Sequence, residues 1–367
     1  MPIFDQGYQH WNGQTSGRFA RCTAITRNGV QIGLAGRFLK LLLFVAWIPA
    51  VLLAVALCLW GLVEQQSFLI APLAPIFKEI VGSDLLAQPR VFRVEVWTLC
   101  YSYFLSLQLS IAMILLLFVG PNLISQDLRF NALPLYLSRP LRRIDYFFGK
   151  LGVVAVFLGM VIIIPSVIAY VLGLLFSLDI TIIRDTYRLL FASVAYGMVI
   201  ALSAGTLMLA LSSISRNSRY IALLWLGVWF VGGIIAFALQ QLHYHELRRE
   251  AWNAQRTVQL GVRLGSDARK VVHEKAMEKL QATAPQNWRP LVSYRANLAR
   301  IGNSLLGTNA AIERLAALQP EEMRQVFLQT MMTAQHPWQW SAAVLAALFG
   351  ISACILHFAI KSLDRLK

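Results

Sequence analysis

The 367 residues are 57% hydrophobic and only 14% charged, with a formal net charge of +15. A soluble domain carries about 25% charged residues, so the composition excludes a water-soluble globule and points to a chain that crosses a bilayer. The positive balance alone would admit a nucleic-acid partner, but the basic residues cluster beside apolar stretches, which is a topology pattern and not a nucleic-acid surface.

Residues 1–39 form a polar, basic N-terminal segment. Within it, Arg18 to Phe38 predicts an interfacial helix lying on the inner leaflet. Phe19, Cys22, Ile25, Val30, Ile32 and Leu34 supply apolar area, and the arginines reach lipid phosphates. The first long apolar stretch begins only at residue 40, too far in for the core of a cleaved signal peptide.

A membrane-spanning helix needs about 20 largely apolar residues. Six segments qualify: 40–63, 97–120, 151–176, 188–211, 220–239 and 340–360. Pro49, Pro121 and Pro165 fall inside or at the ends of these spans and predict kinks, tolerated where neighbouring helices satisfy the freed backbone. Ser102, Ser106, Gln108, Ser110, Ser166, Ser203 and Thr206 are the polar groups within the spans, where such residues join helices. The fold class is therefore all-α, with six transmembrane helices behind the N-terminal interfacial helix.

The connecting segments differ in charge. Arg18, Arg21, Arg27, Arg37 and Lys40 precede the first span, Arg129, Arg139, Arg142, Arg143 and Lys150 lie between the second and third, and Arg216 and Arg219 lie between the fourth and fifth. The alternate connections are balanced or acidic: Lys78, Arg90 and Arg93 face Glu64, Glu79, Asp84 and Glu95, and Arg184 faces Asp179 and Asp185. Short-loop bias of this kind predicts that both termini and the 121–150 loop are cytoplasmic. It also predicts attraction to anionic membrane lipids. In the first outer connection, the run 67–80 is apolar enough to rest on the membrane surface.

The 121–150 loop mixes charge and apolar residues. Asp127, Arg129, Arg139, Arg142, Arg143 and Asp145 alternate with Leu133, Leu135, Tyr136, Leu137 and Leu141. A short amphipathic element at the membrane face, able to fill a groove in a partner, has this composition.

Residues 241–338 form the one sizeable polar insertion, between the fifth and sixth spans, with thirteen Lys and Arg against eight Asp and Glu. A loop this long is exempt from the short-loop charge rule. The pattern predicts helix over 243–283, a break at Pro285 and Pro290, and helix again over 293–333, giving a helical extracytoplasmic region. The sixth span and a basic tail complete the chain over 339–367.

The spans carry no Asp, Glu, Lys or Arg in their middles, and an ion-coupled pump usually needs one there. No G-x-x-x-x-G-K-[ST] loop, G-x-S-x-G, H-E-x-x-H or C-x-x-C occurs. Cys22, Cys58, Cys100 and Cys354 have neither disulfide-framework nor zinc spacing, and His243-Tyr244-His245 has no acidic or thiol cluster beside it. The sequence predicts no catalytic residue, no metal and no cofactor in this chain. Any uphill transport must be driven from another polypeptide.

In order, Leu123-Ile124-Ser125-x-Asp127-x-Arg129, Leu133-x-Leu135-Tyr136-Leu137-Ser138-Arg139-Pro140, Arg143-x-x-Tyr146 and Gly149-Lys150 resemble the loop between the second and third spans of permease subunits of type-2, exporter-like ATP-binding-cassette (ABC) transporters. Trp288-Arg289-Pro290-Leu291-Val292-Ser293 with Asn297-Leu298 and Leu305-Leu306-Gly307 resembles the region such permeases place before the last span. Two departures stand out: Asn131-Ala132 replaces a turn that commonly contains glycine, and the insertion is longer than the minimal family plan.

The resemblance implies an exporter permease in the bacterial cytoplasmic (inner) membrane. Its partners would be a separate cytoplasmic ABC ATPase subunit and a second permease chain, identical or related. ATP and Mg would be bound on the ATPase. The implied coupling residues are Asp127, Arg129, Leu133, Leu135, Tyr136, Arg139, Pro140 and Arg143. The alternative is a non-transporting membrane component that passes ATPase motion to an extracytoplasmic partner, or anchors it; the longer insertion keeps this reading open.

Overall fold

The computed structural model of the chain describes residues 17–65, 88–132, 143–177, 179–258, 272, 275, 276, 278–280 and 282–363. The described residues form helices and no strand. Six helices are long and apolar enough to cross a membrane: Arg37–Glu64, Arg93–Arg129, Ile144–Ser177, Thr181–Ile214, Ser218–Asn253 and Trp338–Ala359. They coincide with the six expected spans and extend most of them by a turn or more. The apolar run 67–80 lies outside the described residues. Spans 2 and 4 are the most enclosed and spans 5 and 6 the most open, with 56% and 61% against 17% and 17% of their central windows buried.

Spans 1, 3 and 5 depart from regular α-helix partway along, the first two beside a proline. Span 1 breaks at Trp47, just before Pro49, and the buried Gln108 of span 2 donates to the Ala46 carbonyl at that break, 2.8 Å away. Span 3 takes a π-helical turn over Gly159–Ile163 shortly before Pro165, and span 5 does so over Gly227–Val231. A π-turn absorbs the missing proline donor in span 3 without ending the helix.

At the face opposite the 121–150 loop, one side chain ties four spans together. Arg93, at the start of span 2, is 2% exposed. Its Nε and Nη2 donate to both Glu64 carboxylate oxygens at the end of span 1, at 2.7–3.0 Å. Nη2 also donates to Asp179 at 2.9 Å, just beyond span 3, and Nη1 to Thr181 and Asp185 of span 4 at 3.2 and 3.3 Å. Ser177, the last residue of span 3, donates to Glu64 at 3.3 Å. Below this cluster Trp97 packs edge-on against Tyr170, with Gly173 leaving room for the indole.

The insertion between spans 5 and 6 is helical, but part of it returns into the bundle. Span 5 continues as helix to Val258, and the chain then reaches a short turn at Arg289–Val292 and helices Tyr294–Leu306, Thr308–Ala316 and Glu321–Met331. The single helix expected over 293–333 is thus divided. Gly307, in the left-handed region at φ 72°, ends the first piece, and Pro320 begins the third. Of the stretch expected as helix over 243–283, residues 243–258 are helix, while 259–271, 273, 274, 277 and 281 lie outside the described residues.

The helix Tyr294–Leu306 packs among spans 2, 4 and 6. The Tyr294 hydroxyl lies 3.0 Å from Ser203 Oγ, and its ring stacks edge-on with Trp225. Ser203 precedes the end of span 4 by eleven residues, a depth of about 16 Å at 1.5 Å per residue. Tyr294 therefore sits roughly halfway through a layer about 30 Å thick. Tyr294, Leu298 and Ile301 fill the inward stripe, and Gly302 admits the Tyr196 ring. Arg295, Asn297, Arg300 and Asn303 make this helix too polar to read as a span, although it re-enters the bundle. Arg314 then pairs with the buried Glu95 at 2.8 Å and fastens the insertion to span 2.

Replacing Arg93 by Met leaves Glu64 buried and unpaired, and is expected to cost about 3–5 kcal/mol. Asp185→Asn, on a half-exposed partner, is expected to cost at most about 1 kcal/mol. Thermal unfolding in detergent micelles measures both; similar costs for the two would refute the clamp.

The Thr181 hydroxyl, followed by the Arg93 guanidinium, holds the Asp179 carboxyl well below the usual carboxylate range. Because the folded form binds its proton less readily than the unfolded chain, this stabilisation is present above about pH 4 and lost as pH falls below it. Asp179→Asn should flatten the acid limb of the stability-versus-pH curve and leave the neutral and alkaline limb unchanged in slope.

Candidate functional site

Span 2 does not stop at the membrane boundary. After Gly120 and Pro121 it continues as the helix Asn122–Arg129. Gly120 packs directly against the Met208 side chain of span 4, where a Cβ has no room. The first turn of the extension lacks intrahelical acceptors for its N–H groups. Ser212 of span 4 supplies one: its hydroxyl accepts from the Ile124 and Ser125 N–H groups at 3.0 and 3.1 Å and donates to the Pro121 carbonyl at 2.9 Å. All three hydrogen-bonding positions of that hydroxyl are filled.

The extension ends in a defined cap. The Asn131 N–H bonds the Leu128 carbonyl at 3.4 Å, and the Ala132 N–H bonds the Asp127 carbonyl at 2.8 Å. This paired pattern requires a left-handed residue, and Asn131 takes it at φ 51°. Asparagine is one of the few side chains that tolerates that region. The departure from the glycine-containing turn is therefore conservative in backbone terms.

Asp127 looks across to the start of span 3. Its Oδ2 accepts from Lys150 Nζ at 2.6 Å and from the Tyr146 hydroxyl at 2.6 Å, and Lys150 also lies over the Tyr146 ring. The helix containing these two residues begins at Arg143. Its other side is held by the N-terminal helix Arg18–Ala35. Buried Asp145 accepts from Arg18 Nε at 3.1 Å, with Arg21 3.8 Å away, and Thr26 donates to the Gly149 carbonyl at 2.9 Å.

Small residues bring these two helices together. A Cβ at Gly149 would lie 2.7 Å from Ile25, and one at Gly33 would lie 2.8 Å from Phe157. Gly29 faces Val153 in between. The pairs advance in the same direction on both helices, so the expected interfacial helix runs alongside span 3 in parallel for several turns. Its exposed apolar residues, Phe19 and Ile32 among them, lie on the faces away from that contact.

The predicted coupling residues divide accordingly. Asp127 is an internal tie. Arg129 is exposed, with its guanidinium over the exposed Phe130 ring. Arg143 opens the span-3 helix. Leu133, Leu135, Tyr136, Arg139 and Pro140 lie outside the described residues. The structure adds Ser212, Tyr146, Lys150 and Asp145 to the arrangement. A sequence signal existed only for Asp127, Tyr146 and Lys150, through the ordered motif, while Ser212 stands 85 or more residues from its partners. Among the described residues no group of three or more His, Cys, Asp and Glu has a metal-binding arrangement.

A family model described as ABC-2 family transporter protein matches residues 110–296, a little over half of the chain. The match takes in the end of span 2, the whole loop face, spans 3 to 5 and the start of the re-entrant helix. No curated protein matches the chain.

The cap makes a direct demand on residue 131. Asn131→Gly should leave stability within about 0.5 kcal/mol, whereas Asn131→Val should cost about 1–2 kcal/mol by forcing a β-branched side chain into the left-handed region. Thermal unfolding and limited proteolysis between residues 129 and 143 give the readout. Equal behaviour of the two variants would remove the cap argument.

Proposed function

The chain belongs to the ABC-2 family of transporter proteins, and from that premise we propose that it works as the permease of an ATP-driven exporter, moved by a separate ATPase subunit through the loop 121–150. As a family member it is a multi-pass membrane component of an ABC transporter, with six apolar helices to span the bilayer. Direction of transport, the coupling route and the compartment belong to the proposal.

The observation that carries the proposal is the double anchorage of the loop. One flank, Asn122–Arg129, is tied to span 4 by Ser212 and to span 3 by the Asp127–Lys150 ion pair. The other flank begins at Arg143 and is tied to the N-terminal helix by Asp145. Both flanks are held by spans and by the N-terminal helix, so a push that arrives at either flank is passed on. It reaches spans 2, 3 and 4 and the N-terminal helix together.

In this reading ATP and Mg bind the ATPase subunit, not this chain. Two permease chains pair side by side, and their ATPase subunits close on nucleotide. Leu133, Leu135 and Tyr136 fill the ATPase groove, with Phe130 at its edge. Arg129, Arg139 and Arg143 face acidic residues at its rim, a contact that sets specificity and encounter rate more than affinity. Pro140 directs the chain back toward span 3. The basic loop face is cytoplasmic and the Arg93 face outer by the short-loop charge bias, and the family resemblance implies a bacterial cytoplasmic membrane. The return of residues 289–306 into the bundle supports transport over a purely external partner role, because it builds a polar wall inside the membrane region.

Co-expression of the permease with its ATPase tests docking. Leu135→Asp with Tyr136→Asp should reduce ATPase co-purification at least about tenfold, the effect of burying two unpaired carboxylates in an apolar groove. Membrane insertion of the variant should be unchanged. Full retention of the ATPase subunit would rule out this loop as its seat.

A further inference from the structure

The re-entrant helix Tyr294–Leu306 runs antiparallel to span 2, and a ladder of polar pairs joins them. Ser102 Oγ donates to Asn303 Oδ1 at 3.3 Å, and Arg295 Nη2 donates to Ser110 Oγ at 3.1 Å. Ser106 and Ala299 fall midway between those two rungs, and both line the same cavity. The spacing is four residues per rung on both helices. Thus Ser102, Ser106 and Ser110 share one face of span 2, while Arg295, Ala299 and Asn303 share one face of the helix opposite.

The cavity between them holds about 280 Å³. Its polar lining includes Ser102, Ser106, Asn303, Thr308, Thr330 and Thr333, and among the described residues no carboxylate lines it. Leu105, Leu306 and Met331 supply apolar wall. Tyr103 and Leu107 on the same stretch of span 2 are exposed, so the groove opens sideways. The Arg295–Ser110 rung lies one helical turn beyond Ser106 and Ala299, outside the cavity lining, and Arg295 is itself exposed. Ser110 precedes Gly120 by ten residues, a depth of about 15 Å.

A guanidinium at that depth is expensive unless it meets an opposite charge. Among the described residues none of the ion pairs involves Arg295, and its one hydrogen-bonded partner is a neutral hydroxyl. Arg300, on another face of the same helix, donates instead to the His336 carbonyl at 2.6 Å. Arg295 therefore has no anionic partner among the described residues, and a ligand can supply one.

We propose that Arg295 and the Ser102–Ser106–Ser110 ladder bind the anionic head group of an amphiphile, whose apolar part leaves through the open side of the groove between span 2 and the re-entrant helix. Hydroxyl and amide donors with one fixed cation and no carboxylate select an anion over a cation. The apolar wall and lateral opening select an amphiphile over a free ion. This site is separate from the loop face and stands whether or not an ATPase docks there.

The purified full chain in detergent micelles is titrated with phosphatidylglycerol, with phosphatidylcholine and with inorganic phosphate, and retained lipid is counted by native mass spectrometry at low ionic strength. The wild type should retain phosphatidylglycerol about tenfold better than phosphatidylcholine, the value of one charge-assisted contact of roughly 1.5 kcal/mol. Inorganic phosphate should not displace it. R295Q should abolish the preference and R295K should keep part of it. Ala299→Phe, which fills the cavity and leaves the guanidinium in place, should also abolish it and covers the case in which R295Q fails to fold. Arg248→Gln, on the extension of span 5, should bind as the wild type does. Equal retention of the two lipids by the wild type, or a preference that survives both R295Q and Ala299→Phe, overturns the proposal. Displacement by phosphate overturns the amphiphile assignment. Loss of dimer mass in R295Q with lipid preference intact would instead give Arg295 a carboxylate on a second copy, and would also overturn it.

Discussion

Burying a guanidinium imposes more order on this fold than any other single contact. Arg93 has five N–H donors in a rigid fork and almost no access to water, so its acceptors must be delivered by protein. They come from the end of span 1, the connection after span 3 and the first turn of span 4. None of these acceptors is near Arg93 in sequence. The requirement that they converge fixes the relative height and rotation of four helices at one membrane face. An apolar cluster of the same size would pack but would not specify register, since lipid tails satisfy apolar side chains equally well.

At the other face the constraints are divided among several smaller ties. Ser212 caps the span-2 extension, Lys150 and Tyr146 hold Asp127, and Arg18 holds Asp145. Glycines at 29, 33, 149 and 152 let the N-terminal helix approach span 3 at backbone distance. Close backbone approach with few polar contacts suits a rigid body that moves as one piece. The dense Arg93 cluster suits a fixed end. The two faces thus differ in mechanical character as well as in charge.

The spans were readable because hydropathy over about 20 residues has no competing explanation. The loop was readable because its motif is ordered and local. Even the replacement at Asn131 could be understood once its φ of 51° was known. Arg93, by contrast, read as one of several outer-loop charges, since its partners at Glu64, Asp179 and Asp185 lie 29, 86 and 92 residues away. The re-entrant helix was hidden for the opposite reason. Arg295, Asn297, Arg300 and Asn303 lower its hydropathy, although Tyr294, Leu298, Ile301 and Gly302 give it a buried stripe with helical period. The emptiness of the span middles was real, but the charge at mid-depth is carried by a segment that is not a span.

Between the fixed face and the rigid-body face, span 3 contains a π-turn inside a helix that is more enclosed than span 5, which has the other π-turn among the described residues. Gly159–Ile163 separates the half held by Asp145, Tyr146 and Lys150 from the half that ends at Ser177 beside Glu64. Helical hydrogen bonding is already altered there, and Pro165 has no N–H to lose. A change of bend at this turn therefore breaks fewer bonds than one anywhere else along the span. In the proposed mechanism a push on the loop arrives in the first half of span 3, while the Arg93 cluster resists at the far end. The displacement must then be taken up at Gly159–Ile163. Span 4 lies against this turn, with Gly197 facing Ile162 and Ile163, and the adjacent residue Tyr196 packs against Gly302 of the re-entrant helix. Bending at the π-turn consequently shifts the wall that carries Arg295, while span 2 carries the serine ladder on the opposite wall.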